Sequence, residues 1–109
     1  MNQTIEDYVE RFGIPLESLR LIINVLKRNY KIKDIILFGS RAKGNFKKGS
    51  DIDIAIVSEL IPFEELNQIR VEINDLSLPY KVDLIDFNKI SNKELKEHIL
   101  RVGKHLNFS

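Results

Sequence analysis

Residues 35–43 read IILFGSRAK and residues 49–57 read GSDIDIAIV. Each segment contains an apolar run of strand length that is rich in β-branched residues. The first run stops at Gly39, and the second begins directly after Ser50-Asp51. We therefore predict two buried strands, Asp34–Phe38 and Ile52–Val57, joined by a polar connection, as the centre of the fold.

Amphipathic helices are predicted on both sides of these strands, because apolar residues recur three or four positions apart in four other segments. Thr4 would cap the first helix and Gly13 would end it. Pro15 and Pro62 would open the second and third helices. The last helix would begin at a capping box of Ser91 and Glu94 and stop at Gly103.

A third strand is predicted from Tyr80 to Phe87, after Pro79 closes the third helix. The element order is then helix, helix, strand, strand, helix, strand, helix. Near-continuous apolar strands between helices predict an α/β (α+β) fold with a small mixed sheet flanked by helices. At 109 residues we expect a single domain, residues 1–109.

Composition narrows the class of protein. The chain has 17 basic and 16 acidic residues and no cysteine. This balance does not predict direct binding to nucleic acid, and the absence of cysteine excludes disulfides, thiol nucleophiles and thiolate metal sites. With no signal-peptide pattern and no apolar stretch that could span a bilayer, we expect a cytoplasmic protein that does not bind membranes.

The turn at Gly39-Ser40 is suited to holding phosphate. Glycine allows the backbone to approach a ligand, N–H groups at a helix start attract anions, and a serine hydroxyl adds a donor. Basic side chains nearby suit a triphosphate. Taken alone, the pair is more often an ordinary turn beside a solvated basic loop. The candidate nucleotide-binding residues are Gly39, Ser40, Arg41, Lys43 and Ser50, with Lys47 and Lys48 following in the loop.

Two common nucleotide-binding motifs are missing from the sequence. The turn lacks the Gly-Lys-Ser/Thr ending of a P-loop, and no Rossmann glycine fingerprint is present. P-loop ATPases and dinucleotide-binding proteins are therefore disfavoured.

Asp51 and Asp53 are two positions apart at the start of a predicted strand. Strand alternation would place them on one face with Cα atoms roughly 6.6 Å apart, from where both can reach a pair of divalent ions. The alternating isoleucines from Ile52 to Ile56 would anchor the opposite face. An exposed acidic strand end is the alternative, but half-buried acids repel one another unless a cation neutralises them, and this favours a metal site.

Asp83 and Asp86 compete for the role of a third acidic ligand. They are three positions apart, so in a regular strand they point to opposite faces and cannot both face the same metals. Asp83 lies within an apolar run, where an unpaired charge is costly, whereas Asp86 lies where a turn can satisfy it. We favour Asp83 as the ligand and interpret Asp86 as a terminal or loop-capping residue.

The spaced motif has the order Gly39-Ser40, ten intervening residues, Asp51-Ile52-Asp53, and a later Val82-Asp83-Leu84. With this motif the chain resembles the minimal nucleotidyltransferases of the DNA polymerase beta-like superfamily, over roughly residues 15–105. The likeness is greatest to stand-alone antitoxin members encoded beside a helical HEPN-domain toxin. The fold that the resemblance implies, a small mixed sheet flanked by helices, agrees with the predicted element order.

The resemblance implies a role for each motif residue. Gly39 and Ser40 would hold the triphosphate of ATP, and Arg41 would contact phosphate. Asp51 and Asp53 would bind two Mg²⁺ ions. The resemblance assigns Asp83 to complete one of the metal sites and to help activate the attacking hydroxyl.

The reaction implied by the resemblance is in-line attack of a hydroxyl on the α-phosphate of ATP, with pyrophosphate leaving. Antitoxin members transfer AMP to a tyrosine of the partner toxin and so silence its ribonuclease activity. The resemblance therefore implies a protein adenylyltransferase whose partner is a HEPN-domain toxin. The histidines, His98 and His105, are expected to be surface or capping residues.

Two other functions stay open at this point. Nucleotidyl transfer to a small molecule such as an aminoglycoside is disfavoured, since no helical substrate domain follows the last helix. A non-catalytic nucleotide-binding module would neutralise its partner by complex formation alone, and the complete set of three acids argues against it. Apolar residues near the chain ends either contact a partner or cover the chain's own core: Tyr8, Phe12, Leu106 and Phe108.

Overall fold

The computed structural model describes residues 11–106. Most of the first predicted helix, including Thr4, lies outside the described residues, and Gly13 after its end has a positive φ of 64°. The elements that follow are α1 (Leu16–Lys27), β1 (Ile32–Phe38), α2 (Gly39–Lys43), β2 (Ile52–Ser58), α3 (Phe63–Asn74), β3 (Val82–Asp86), a 3₁₀ turn (Phe87–Lys89), α4 (Lys93–Val102) and β4 (Lys104–His105).

The four strands form one mixed sheet in the order β3-β2-β1-β4. β1 runs antiparallel to both β2 and β4, whereas β2 and β3 are parallel. Parallel neighbours require a crossover, and α3 supplies it between β2 and β3. The predicted mixed sheet flanked by helices is therefore confirmed. β4 was missed, because a strand of two residues has no periodicity to detect.

One face of the sheet packs against α1 and α3. The isoleucines of β2 that point to this face are 0 % exposed, as predicted, and they contact apolar side chains of both helices. Each of these isoleucines stabilises the fold, since a fully buried isoleucine contributes about 1.5–3 kcal/mol relative to an exposed one. The residues of this layer are Ile35, Leu37, Ile52, Ile54, Ile56 and Leu84 from the sheet, and Leu19, Ile22, Leu26, Leu66, Ile69 and Ile73 from the helices.

The opposite face packs against α4 in a smaller cluster around Ile36, Phe38, Ala55 and Ile99. Because side chains alternate along a strand, Asp53 lies on the same face as Ala55, two positions further on. Asp83 likewise shares a face with Ile85, which contacts this cluster. The two carboxylates thus continue the apolar rows that α4 covers.

Helix starts differ in detail from the sequence prediction. Pro15 and Pro62 are N-cap residues of α1 and α3, one position before the first helical residue. The predicted capping box at Ser91 and Glu94 is wrong: Asn92 caps α4, and its side chain accepts a hydrogen bond from the Leu95 N–H at 2.9 Å. Both Ser91 and Asn92 are good capping types, so residue type alone does not distinguish them.

Gly103 ends α4, as predicted, but it does so in an extended conformation, with φ −61° and ψ 143°. A Cβ atom at this position would collide with the Ile99 carbonyl and the Ile36 side chain. Glycine is therefore required by close packing, and the chain can pass directly into β4 beside β1.

Candidate active site

Asp53 and Asp83 lie side by side at one end of the sheet. They are register partners on the parallel strands β2 and β3, so their side chains project from the same face. Asp53 is also paired with Phe38, the last residue of β1. The end of β1 and the starts of β2 and β3 therefore meet at one edge, where both carboxylates line a cleft of about 500 Å³.

Asp51 is exposed and directly precedes β2. Partial burial, together with the negative charges of Asp83 and Asp51, raises the pKa of Asp53 from 3.8 to about 6. The negative charges of Asp83 and Asp51 are thus close enough to disfavour the ionisation of Asp53.

A positively charged side chain, Lys81, faces the same carboxylates. Its Nζ lies 3.6 Å from Oδ1 of Asp83, and its charge lowers the pKa of Asp53 against the larger raising effects. Lys81 was missed in the sequence, although its spacing of two from Asp83 on an extended segment was the available signal.

The three carboxylates suit a hard divalent cation, because oxygen ligands and concentrated negative charge are what Mg²⁺ requires. Among residues 11–106, no three carboxylate, histidine or cysteine side chains already surround a common point closely enough to hold a metal ion. The pairing of Asp53 with Asp83 is preformed by the strand register, whereas Asp51 lies on an exposed segment. The observations that support a divalent cation at this site are therefore the oxygen donors of the three carboxylates and the raised pKa of Asp53.

Gly39 begins α2 and has a positive φ of 76°, a conformation that glycine adopts without steric cost. A Cβ atom here would collide with the Asp53 carboxylate, and the Asp53 Cγ would lie only 3.1 Å away. Within the described residues, no side chain caps the start of α2. This start, at Gly39, lies next to the Asp53 carboxylate, and the first N–H groups of a helix have no partners within the helix.

Arg41 differs from the prediction. Its side chain is 2 % exposed, and its guanidinium donates to backbone carbonyls of Phe12, Gly13 and Ser50. A buried guanidinium that is occupied by carbonyl oxygens is not placed to contact phosphate. Its guanidinium instead binds backbone carbonyl oxygens of the surrounding segments.

The other predicted phosphate contacts lie on exposed chain or in a turn. Lys43, Lys47 and Lys48 are exposed on the last residue of α2 and the loop that follows it. The Ser50 hydroxyl oxygen accepts a hydrogen bond from the Lys47 N–H at 2.8 Å, which closes the turn before Asp51. Of the basic residues predicted near phosphate, these three lysines are the ones whose side chains are exposed.

Asp86 lies away from the other acids, as predicted from its spacing. Its register partner is Ile56, whose side chain belongs to the opposite face of the sheet. The carboxylate is buried, accepts hydrogen bonds from the Asn88 N–H at 3.1 Å and from the Ser58 hydroxyl at 3.4 Å, and lies 3.9 Å from the Lys89 Nζ. The interpretation of Asp86 as a loop-capping residue is confirmed.

Neither histidine is paired with Asp51, Asp53 or Asp83 in the described part of the chain; each has another partner. His98 is half-buried on α4 with its ring edge-on to Phe38, the centroids 6.2 Å apart. His105 is exposed on β4, and its Nδ1 lies 2.6 Å from Oδ2 of Asp34. Of the apolar residues near the chain ends, Phe12 and Leu106 belong to the core and are not available to a partner, whereas Tyr8 and Phe108 lie outside the described residues.

The fold and the sequence identify the class of protein. The family model described as polymerase beta, nucleotidyltransferase, matches residues 20–107. The chain therefore belongs to the polymerase beta nucleotidyltransferase family.

The curated relatives that this chain resembles are named as protein adenylyltransferases. A putative protein adenylyltransferase of Methanocaldococcus jannaschii is 43 % identical over 84 residues, which cover 76 % of this chain and 85 % of the relative. The probable protein adenylyltransferase MntA of Haemophilus influenzae is 33 % identical over 93 residues, which cover 84 % of this chain and 81 % of that protein.

Chains in solved structures of toxin–antitoxin complexes are also similar to this chain. A toxin–antitoxin crystal structure with AMP-PNP contains a chain with a TM-score of 0.68 and 28 % identity, covering 84 % of this chain and 73 % of that one. A chain of the toxin–antitoxin complex MntA–HepT has a TM-score of 0.65 and 25 % identity, covering 87 % of this chain and 74 % of that one.

In the part of the chain that the structure describes, no helix combines the length and the apolar composition that crossing a bilayer requires.

Proposed function

We propose that this protein is an Mg²⁺-dependent protein adenylyltransferase that acts as the antitoxin of a HEPN-type toxin, transferring AMP from ATP to a tyrosine hydroxyl of its partner. The observation that carries the proposal is the register pairing of Asp53 with Asp83 beside the Gly39-Ser40 turn. The relatives named as protein adenylyltransferases and the neighbours in toxin–antitoxin complexes support the choice of a protein acceptor. The neighbour with AMP-PNP, an ATP analogue, supports the nucleotide.

Each element of the site has a task in this reaction. The N–H groups at the start of α2 and the Ser40 hydroxyl bind the triphosphate, and the exposed lysines Lys43, Lys47 and Lys48 neutralise charge on the leaving pyrophosphate. The acceptor hydroxyl and the α-phosphate meet at the edge where β1, β2 and β3 come together.

The carboxylates have separate roles in the proposal. Asp51 and Asp53 would hold both Mg²⁺ ions, and Asp83 would complete the site next to the acceptor hydroxyl. The bound ions supply Lewis-acid activation of the hydroxyl and neutralisation of the triphosphate. The raised pKa of Asp53 supports this placement, because an acid that resists ionisation beside two others is relieved by a bound dication.

The experiment is transfer of label from α-³²P-ATP with Mg²⁺ to the toxin encoded beside this chain, with Asp53→Asn as the inactive control. Label on the toxin supports the proposal, and mass spectrometry identifies the modified residue. Tight binding of the toxin without label would favour the alternative, a nucleotide-binding module that neutralises its partner by contact. Label on a small molecule such as an aminoglycoside, and none on the toxin, would exclude a protein acceptor.

A further inference from the structure

The Arg41 guanidinium joins the segment before α1 to the segment before β2. Nη1 donates to the carbonyl oxygens of Phe12 and Gly13 at 2.9 and 3.0 Å. Nε and Nη2 both donate to the carbonyl oxygen of Ser50, at 3.1 and 2.9 Å. Because Ser50 directly precedes Asp51, the two-pronged bond fixes the backbone from which the Asp51 carboxylate projects.

Two aromatic rings hold the same guanidinium in place. The centroid of the Phe46 ring is 5.1 Å from Cζ of Arg41, and that of the Tyr80 ring is 5.0 Å away. Phe46 belongs to the loop between α2 and β2, and Tyr80 lies three residues before Asp83. A planar cation suits such stacking, which contributes more when the cation is buried.

The segments gathered by Arg41 are also joined to one another. The Ile52 N–H donates to the Lys81 carbonyl at 2.8 Å, which links the start of β2 to the segment before β3. A Cβ atom at Gly13 would collide with the Phe46 ring, so the chain before α1 packs closely against the loop. Displacement of one segment therefore disturbs the others.

We propose that Arg41 is a positioning residue: it sets the spacing of the Ser50-Asp51 and Tyr80–Asp83 segments, and hence of the carboxylates, and it does not bind phosphate. The proposal rests on the nucleotidyl transfer proposed above. This role requires a guanidinium, since a lysine ammonium cannot donate from two nitrogens to one carbonyl oxygen and does not offer a planar cation to the two rings.

The substitution Arg41→Lys distinguishes positioning from phosphate binding, with Arg101→Lys on the exposed face of α4 as the matched control. A phosphate ligand would be largely rescued by lysine, and its loss would raise the KM for ATP. For a positioning residue we expect kcat to fall about 10–100-fold, and the affinity for Mn²⁺, measured by electron paramagnetic resonance, to fall by a similar factor. The KM for ATP should change less than about threefold, as the phosphate contacts are intact.

A second measurement needs neither metal nor ATP. Amide hydrogen exchange at Ser50 and Ile52 should accelerate about tenfold or more in Arg41→Lys, and also in Phe46→Leu, which keeps the guanidinium but removes one ring. Arg101→Lys should exchange like the wild type.

Wild-type exchange and wild-type Mn²⁺ affinity in Arg41→Lys would overturn the positioning role. If a variant with a neutral residue at position 41 lost ATP affinity and Arg41→Lys kept it, Arg41 would instead be assigned to phosphate binding. Should the wild-type protein transfer no AMP, exchange and Mn²⁺ affinity would still decide the role of Arg41, so the two proposals fail separately.

Discussion

Gly39 leaves open the space that the Asp53 carboxylate occupies. A Cβ atom at position 39 would collide with this carboxylate, and the backbone there has a positive φ of 76°. The turn that ends β1 and the acid on β2 are thus packed against each other, and residue 39 contributes to the site through its lack of a side chain.

The substitution Gly39→Ala is expected to impair both stability and activity. We expect about 2–4 kcal/mol of destabilisation, from the left-handed backbone and from the overlap with Asp53, and a loss of activity on the order of 100-fold from the displaced carboxylate. Urea unfolding and ³²P transfer measure the two effects.

The matched control for this prediction is Gly44→Ala. Gly44 has a similar φ of 87°, but within residues 11–106 nothing beyond its own helix and chain neighbours lies within 4 Å of a Cβ built there. Its cost should be the backbone strain alone, about 1–2 kcal/mol. Equal losses of activity in both variants would show that contact with Asp53 is unimportant.

The pH dependence of stability should carry the signature of Asp53. Because the folded protein raises the pKa of Asp53 from 3.8 to about 6, it binds this proton more tightly than the unfolded chain does. The resulting stabilisation is complete below pH 3.8 and is lost as pH rises through about 6. Without metal, Asp53→Asn should therefore be more stable than the wild type above pH 6.5, by roughly 1 kcal/mol once solvent screening of a half-exposed group is allowed for.

Chemical denaturation between pH 4 and pH 8 in EDTA measures this difference. Mg²⁺ should reverse the order at pH 7.5, stabilising the wild type and leaving Asp53→Asn nearly unchanged. A stability difference that does not vary with pH would contradict the assignment to Asp53, whatever the metal result.

Substitution of Asp83 should impair activity, whereas substitution of Asp86 should impair stability. Asp83→Asn removes a half-exposed charge beside Asp53, so we expect loss of transfer, by about 100-fold or more, with stability nearly unchanged. Asp86→Ala removes a buried acceptor of two hydrogen bonds, so we expect about 1–3 kcal/mol of destabilisation, with activity retained by the folded fraction. Circular dichroism and ³²P transfer on the same preparations test both, and the reverse pattern would refute the choice of Asp83.

Much of the fold could be predicted because its signals are local. The alternation from Ile52 to Ile56 predicted a strand with one buried face, and those side chains are fully buried. β4 could not be predicted, since Lys104 and His105 are polar and their strand exists only through pairing with β1. The cap of α4 was misplaced by one residue because Ser91 and Asn92 have similar capping preference.

The candidate site, like the fold, could be predicted from the sequence only where the signal is local. A period of two predicts that Asp51 and Asp53 share a face, but the pairing of Asp53 with Asp83 depends on the parallel crossover, which no local pattern encodes. The burial of Arg41 depends on Phe12, Ser50 and Tyr80, which are distant in sequence. A basic residue after a glycine–serine turn therefore suggests a phosphate contact until the tertiary structure is known.

Lys81 should compete with a divalent cation for the carboxylates. Its ammonium lies 3.6 Å from Asp83 and lowers the pKa of Asp53, so it partly neutralises the charge that a metal would neutralise. An exposed ion pair contributes less than about 1 kcal/mol, which limits the effect to about fivefold. Lys81→Gln is therefore expected to bind Mn²⁺ about two- to fivefold more tightly in the absence of nucleotide, as measured by electron paramagnetic resonance. Lys33→Gln, which breaks a similar exposed pair with Glu59, is the control and should leave the affinity unchanged. Weaker Mn²⁺ binding in Lys81→Gln would show that Lys81 supports the metal site, for instance by holding Asp83 in its binding rotamer.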